Sequence, residues 1–241
     1  MLSKADTLCL LRNKILTLQG FKPATVTPQS DFGLGPIVSS FANHEFPFSA
    51  LHEFICQSPQ EIAASSAFIT SLLSTQLKKG GIVLWIGTQR LIFPPALKRF
   101  AVDPDQMVFI NARSQKEAVW AVEEALKSPS LTSVVGQIKD LDFTESRRMQ
   151  LAIEQSGVGC FLLRYRPHNL TTATTTRWHI KPISSSREDN LPGLSHPRWQ
   201  VDLLKVRNGK PGNWIIQWSQ GRFHYSSKLS FISGERQKKT G

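Results

Sequence analysis

The sequence predicts an α/β fold with a mostly parallel central sheet, helices on both faces, and an antiparallel β extension at the C-terminal end. Three observations carry this. Short, continuously apolar runs alternate with amphipathic segments between residues 50 and 164. Glycines and prolines stand at the joints of that alternation. After Arg166 the helical segments stop and four strand-like segments follow one another. Strands apolar along their whole length suit a parallel sheet covered on both faces, and strands joined without helices suit antiparallel pairing.

The elements justify this in order. Residues 4–18 carry Leu8, Leu11, Ile15 and Leu18 at helical spacing, an amphipathic helix. Residues 19–46, rich in Pro, Ser, Thr and Gly, read as a linker or as extended chain lying on something else. The core is expected over residues 47–228 and a basic, disordered tail over 229–241. ALHEFI (50–55) is a buried strand, and residues 61–78 place Ile62, Ser66, Ile69, Leu73 and Leu77 on one helical face. GIVLWIG (81–87) is a strand bounded by glycines, and Pro94 with Pro95 opens a short helix. MVFIN (107–111) is a strand. Ser114 with Glu117, and Asp142 with Glu145, form capping boxes that start two further helices, the second ending near Gly157. TSVVGQI (132–138) and VGCFLLR (158–164) are the remaining strands of this kind. TTATTTRWHIKPI, PRWQVDLLKVR, GNWIIQW and RFHYSS form the extension, and residues 184–196 are a polar loop.

No run of about 18 apolar residues occurs, so no membrane span is expected. The charged N-terminal residues argue against a signal peptide. Cys9, Cys56 and Cys160 form no CxxC pair, which fits reduced thiols and a cytoplasmic location. The net charge is +11, and residues 158–241 hold 14 Lys/Arg against 4 Asp/Glu. That asymmetry points to an anionic partner, nucleic acid or an acidic protein face, beside the plainer reading of a basic surface.

The order of elements resembles the RecA core, and more closely the ImuA family of inactive RecA relatives. The segments that carry this are FPFSALHEF, GIVLWIG, EAVWAVEEALKS, SVVGQIKDLDFTESRRMQLAIEQSGVGCFLLR, TTATTTRWHI and PRWQVDLLKVRNGKPGNW, from about Phe46 to Trp218. The resemblance implies an accessory role in SOS mutagenesis and translesion DNA synthesis. The implied partners are an ImuB-like Y-family protein, an error-prone polymerase subunit and RecA. DNA binding and homo-oligomerisation stay open. Some relatives of this group carry a cell-division-inhibitor label, a lesser alternative, and a divergent ATPase is the third class.

Against a nucleotide-binding RecA core, the sequence lacks every functional group. A phosphate-binding loop needs G-x-x-x-x-G-K-[ST], so that bare backbone, Lys and a hydroxyl meet the phosphates and Mg²⁺. No such motif occurs. In the corresponding stretch Cys56 replaces the first glycine, Glu61 and Ile62 replace Gly-Lys, and Ala63 replaces the hydroxyl. Gly136 stands where a Mg²⁺-holding Asp belongs, and Gln89 where a water-orienting Glu belongs. Phosphoryl transfer is positioning plus charge neutralisation, so the chain is expected to be no enzyme and to need no cofactor or metal.

The candidate DNA or partner contacts are Arg164, Arg166, Arg177, Lys181, Arg198, Lys205, Arg207 and Lys210, together with the Thr hydroxyls of the loop 167–176. They read equally as a solvated face. Trp178, Trp199, Trp214 and Trp218 read as core residues, with base stacking as the alternative. The helix 4–18 packs on its own domain or on a partner. A Cys56–His52 nucleophile pair and a Glu123–Glu124 acid/base pair are the weaker enzymatic readings.

Overall fold

The computed structural model describes residues 32–42, 44–89, 92–184 and 196–226, all within one unit that begins at Phe32. The expected helix with Leu8, Leu11, Ile15 and Leu18, most of the polar loop and the basic tail lie outside the described residues.

Nine strands form one sheet among the described residues: β1 (Leu51–Cys56), β2 (Val83–Gly87), β3 (Met107–Asn111), β4 (Ser133–Gln137), β5 (Gly159–Tyr165), β6 (Thr176–Ile183), β7 (Arg198–Val206), β8 (Gly212–Ser219) and β9 (Arg222–Ser226). Their order is β3-β2-β4-β5-β1-β6-β7-β8-β9. Every pair from β3 to β6 is parallel, and every pair from β6 to β9 is antiparallel. The expected architecture is thus the observed one. Helices α1 (Pro59–Leu77), α2 (Gln115–Ala125) and α3 (Phe143–Ser156) supply three of the crossovers.

Burial explains the sequence patterns. β1 and β4 are buried at every residue, including the polar His52 and Glu53 within β1 and Ser133 and Gln137 at the ends of β4. β6 and β7 alternate, turning Trp178, Ile180, Trp199, Val201 and Leu203 inward. On the α1 side these residues join Phe54, Phe68, Phe161, Trp218 and Phe223 in one core, and Leu51, Ile86, Val122 and Met149 build the other side with α2 and α3. Trp178, Trp199 and Trp218 are therefore packing residues, closed to bases, and Trp214 is half-buried against the same core.

Of residues 19–46, expected as a linker or as extended chain lying on something else, 19–31 lie outside the described residues, and the described residues from Phe32 to Phe46 pack on the core rather than link. Leu34, Ile37, Phe41 and Phe46 are buried, a 3-10 helix spans Gly35–Ser40, and Phe46 lies on His52 with ring centroids 4.8 Å apart. Their apolar residues follow neither the period of a strand nor that of a helix, so the pattern hides their burial.

Candidate functional site

Between β1 and α1, where the RecA core would hold phosphate, only Gln57 and Ser58 separate the strand from the helix. The helix closes its own N-terminus. Ser58 Oγ accepts from Glu61 N at 3.3 Å, and Glu61 Oε2 accepts from Gln57 N at 2.7 Å. The same carboxylate oxygen lies 2.9 Å from His179 Nε2 on β6. Partial burial pushes the Glu61 carboxyl up, but the Gln57 N–H and His179 outweigh it and hold the group below its ordinary value. A fixed negative charge therefore occupies the positive end of the helix dipole, and a second anion meets repulsion there. Arg166 braces the turn from β5: its N–H donates to Cys56 O at 2.8 Å and its Nε to Gln57 O at 2.9 Å. Ile62 is half-buried and Ala63 is exposed, so neither offers a group to a phosphate.

The other two crossover helices begin the same way. Ser114 Oγ accepts from Glu117 N and Glu117 reaches Arg113 N, one residue short of the reciprocal box expected from sequence. Asp142 and Glu145 form the complete box.

The expected metal-ligand position proves to face elsewhere. Gly136 points toward α2, where an added Cβ would lie 2.8 Å from Val122 Cγ2 and 3.1 Å from Leu162 Cδ2. The glycine is there because helix and sheet approach closely, and Gln137 holds the opposite face of the strand instead. Its amide donates to Gln89 O (2.9 Å) and accepts from Trp85 Nε1 (2.8 Å), lying across Gly87, which has no side chain to obstruct it. Gln89 thus contributes a carbonyl to a structural bond while its side chain is exposed. Among the described residues no group of three or more His, Cys, Asp or Glu is placed to hold a metal ion.

Four of the eight basic candidates converge on one buried acid and one loop. Arg164 is fully buried, and its Nη1 pairs with Glu53 Oε1. Its Nε donates to Lys139 O and its Nη2 to Asn169 O. Arg177 Nε lies 2.9 Å from Glu53 Oε2, and Arg177 Nη2 donates to Leu170 O. Lys205 Nζ donates to Thr172 O at 3.1 Å, and Arg207 reaches Gln150 Oε1 and Ala173 O. Thr172 and Thr174 turn their hydroxyls inward, each 3.1 Å from Glu53 Oε2. The cations and hydroxyls expected to face DNA phosphates therefore fasten the loop between β5 and β6 to the sheet. Burial, then the neighbouring Arg177, pulls the Lys205 ammonium below its ordinary value. Lys181 and Arg198 sit instead on the outer face of β6 and β7, Lys181 at 3.4 Å from Asp202 and Arg198 on Ser184 O, and the Lys210 side chain is exposed.

Comparison with known proteins agrees with this frame. No family model matches the chain. Protein ImuA of Caulobacter vibrioides, in two strains, is 31% identical over 206 residues, which cover 80% of this chain and 84% of the relative. The chain belongs to the ImuA family. A crystal structure of the RadB recombinase shares the fold with TM-score 0.55 at 12% identity, over 83% of this chain and 100% of that one.

Two further features of this ImuA-family chain lie beside the β1–α1 turn. His52 is enclosed between Phe46 and Phe161, with Nδ1 2.7 Å from Thr176 Oγ1 and Nε2 3.0 Å from Pro47 O. Burial brings its pKa down to about 4. Cys56 is buried, bonded to Ser65 Oγ, and desolvation pushes its thiol up to about 11. A neutral imidazole committed to other partners and a protonated thiol make no nucleophile–base pair. Glu123 and Glu124 bind Arg148 and Lys127 at the surface. Sequence reasoning missed Glu53. The available signal was a carboxylate in the middle of an apolar strand, which demands a buried partner.

Proposed function

We propose that this ImuA-family protein is a non-catalytic accessory of the SOS DNA-damage response that supports mutagenic translesion synthesis by protein contact. By family resemblance its partners are an ImuB-like Y-family protein, an error-prone polymerase subunit and RecA. The observation that carries the non-catalytic reading is the β1–α1 junction. It is two residues long and filled by the chain's own Ser58 and Glu61. A phosphate chain needs several free backbone N–H groups and a cation at that place. Here the Gln57 and Glu61 N–H groups are spent on side chains and the charge is negative.

Calorimetric titration of the pure protein with a non-hydrolysable ATP analogue and Mg²⁺ tests this. The expected result is no binding; micromolar affinity overturns the reading. Co-purification with a co-expressed ImuB-like protein tests the pathway.

A second reading, direct DNA binding, is favoured by the charge of residues 158–241. Of the eight candidates, Arg166, Lys181, Arg198 and Lys210 are those not spent on the β5–β6 loop.

A further inference from the structure

A carbonyl satisfies a donor without neutralising the charge behind it, and around the β5–β6 loop that difference accumulates. Arg147 on α3 and Arg207 after β7 converge on one neutral oxygen: Gln150 Oε1 lies 3.0 Å from Arg147 Nη1 and 3.3 Å from Arg207 Nη2. Arg177 and Lys205 meet at Thr172, Arg177 Nη2 3.3 Å from its Oγ1 and Lys205 Nζ 3.1 Å from its carbonyl. Arg207 Nη2 also lies 3.5 Å from the carbonyl of the adjacent Ala173. With Arg164, five cations gather at this corner.

The acids do not match them. Glu53 is fully buried and shared between Arg164 and Arg177. Glu154 lies 3.9 Å from Arg147 and takes an N–H from Gln150 at 3.1 Å. Among the described residues, neither Lys205 nor Arg207 forms an ion pair, and both are half-buried. Burial first, then a neighbouring cation, pulls each below its ordinary value: Arg177 acts on Lys205 and Arg147 on Arg207. Partly desolvated like charges without a counter-charge are costly to keep, and such groups cluster at functional sites. Their donors are not exhausted. Among the described residues the Lys205 ammonium spends one of three N–H groups, and the Arg207 guanidinium spends Nη2 alone.

Two guanidinium groups and an ammonium around one corner suit a carboxylate, whose two oxygens each accept from several donors. Half-burial decides how it must be presented. A carboxylate at the tip of an Asp or Glu side chain reaches such cations, whereas the phosphates of a nucleic acid belong to its backbone and keep to the surface. We propose that the corner between α3, the end of β7 and the β5–β6 loop receives a carboxylate from an acidic segment of a partner protein, held by Arg147, Lys205 and Arg207. The proposal rests on the reading that the chain works by protein contact.

Fluorescence anisotropy of the full-length protein with a labelled synthetic peptide of about 12 residues, Glu and Asp alternating with Ser, tests it. Lys205→Gln keeps an N–H for the Thr172 carbonyl and removes the charge. Arg147→Glu reverses a charge on α3 that holds no part of the loop. Each should weaken binding by about tenfold or more, and a peptide with Gln and Asn in place of Glu and Asp should not bind. Urea unfolding supplies a second readout. A cation kept only to fasten the loop requires a lower midpoint for Lys205→Gln, and that result overturns the proposal. A cation kept for a guest gives an unchanged or higher midpoint, because like-charge repulsion is relieved. No binding of the acidic peptide overturns it too, including the case in which an acid of the chain itself fills the corner. So does equal binding to the wild type and both variants, or displacement of the peptide by single-stranded DNA. An ImuB-like protein that co-purifies with the wild type while the peptide fails to bind rejects this site and leaves the accessory function intact.

Discussion

Glu53 stands in a strand buried at every residue, and a lone carboxylate there would be untenable. Arg164, 111 residues away, and Arg177, 124 residues away, make it tenable. Removing one partner of such a pair leaves uncompensated buried charge, so Glu53→Gln should cost about 3–5 kcal/mol, read from the midpoint of urea unfolding. The same substitution should raise the protease sensitivity of the β5–β6 loop, whose Thr172 and Thr174 hydroxyls also bind Glu53. His52 makes a pH prediction. Its folded pKa is about 4, below the ordinary 6.5, because burial disfavours the imidazolium. Below pH 6.5 the unfolded chain therefore takes up a proton that the folded chain refuses. Stability from this residue is complete above pH 6.5 and is lost as pH falls toward 4, by on the order of 3 kcal/mol. Thermal unfolding across that range should show the fall, and His52→Gln should flatten it. The sequence displays both residues as anomalies in LHEFIC, but their partners lie on other elements and only folding brings them together.

At the level of elements, the β1–α1 junction carries a prediction about restoration. Installing Glu61→Gly, Ile62→Lys and Ala63→Thr together returns motif residues to the helix but leaves a two-residue turn. Too few backbone N–H groups face a phosphate in so short a turn. Calorimetry should detect no ATP-analogue binding by the triple variant, and binding would show that side chains alone had closed the site. Gly136→Asp, at the expected metal-ligand position, should place a carboxylate against Val122 and Leu162 and destabilise the fold by at least about 3 kcal/mol. The order of strands and helices was legible because uninterrupted apolar runs, caps and bounding glycines are local signals. The facing of Gly136 was not legible, since strand periodicity leaves the choice of face to whichever helix packs closer. Residues 32–46 were hidden for a related reason: Phe32, Leu34, Ile37, Phe41 and Phe46 fill gaps between larger elements and keep no period of their own.

For the whole molecule, charge is the property that sequence shows best and locates worst. Counting Lys and Arg found the excess in residues 158–241, yet four of the candidates are spent on one acid, on the carbonyls of one loop and on Lys139 O. A cation that caps a carbonyl inside the fold releases no counterion when DNA arrives, so it adds nothing to the salt dependence of binding. That separates the two groups experimentally. Residues 158–241 hold 14 Lys/Arg; if single-stranded DNA is titrated at several salt concentrations, the slope of log K against log salt should be no steeper than about −7, the value for the ten that are not spent on the loop at roughly 0.7 each. Lys181→Ala and Lys210→Ala should each flatten it further while leaving the unfolding midpoint nearly unchanged. Arg164→Ala and Arg177→Ala should do the reverse, lowering the midpoint without changing the slope. A slope steeper than that bound, or one flattened by variants that stay folded at Arg177, would mean that the β5–β6 loop opens on DNA and gives up its staples.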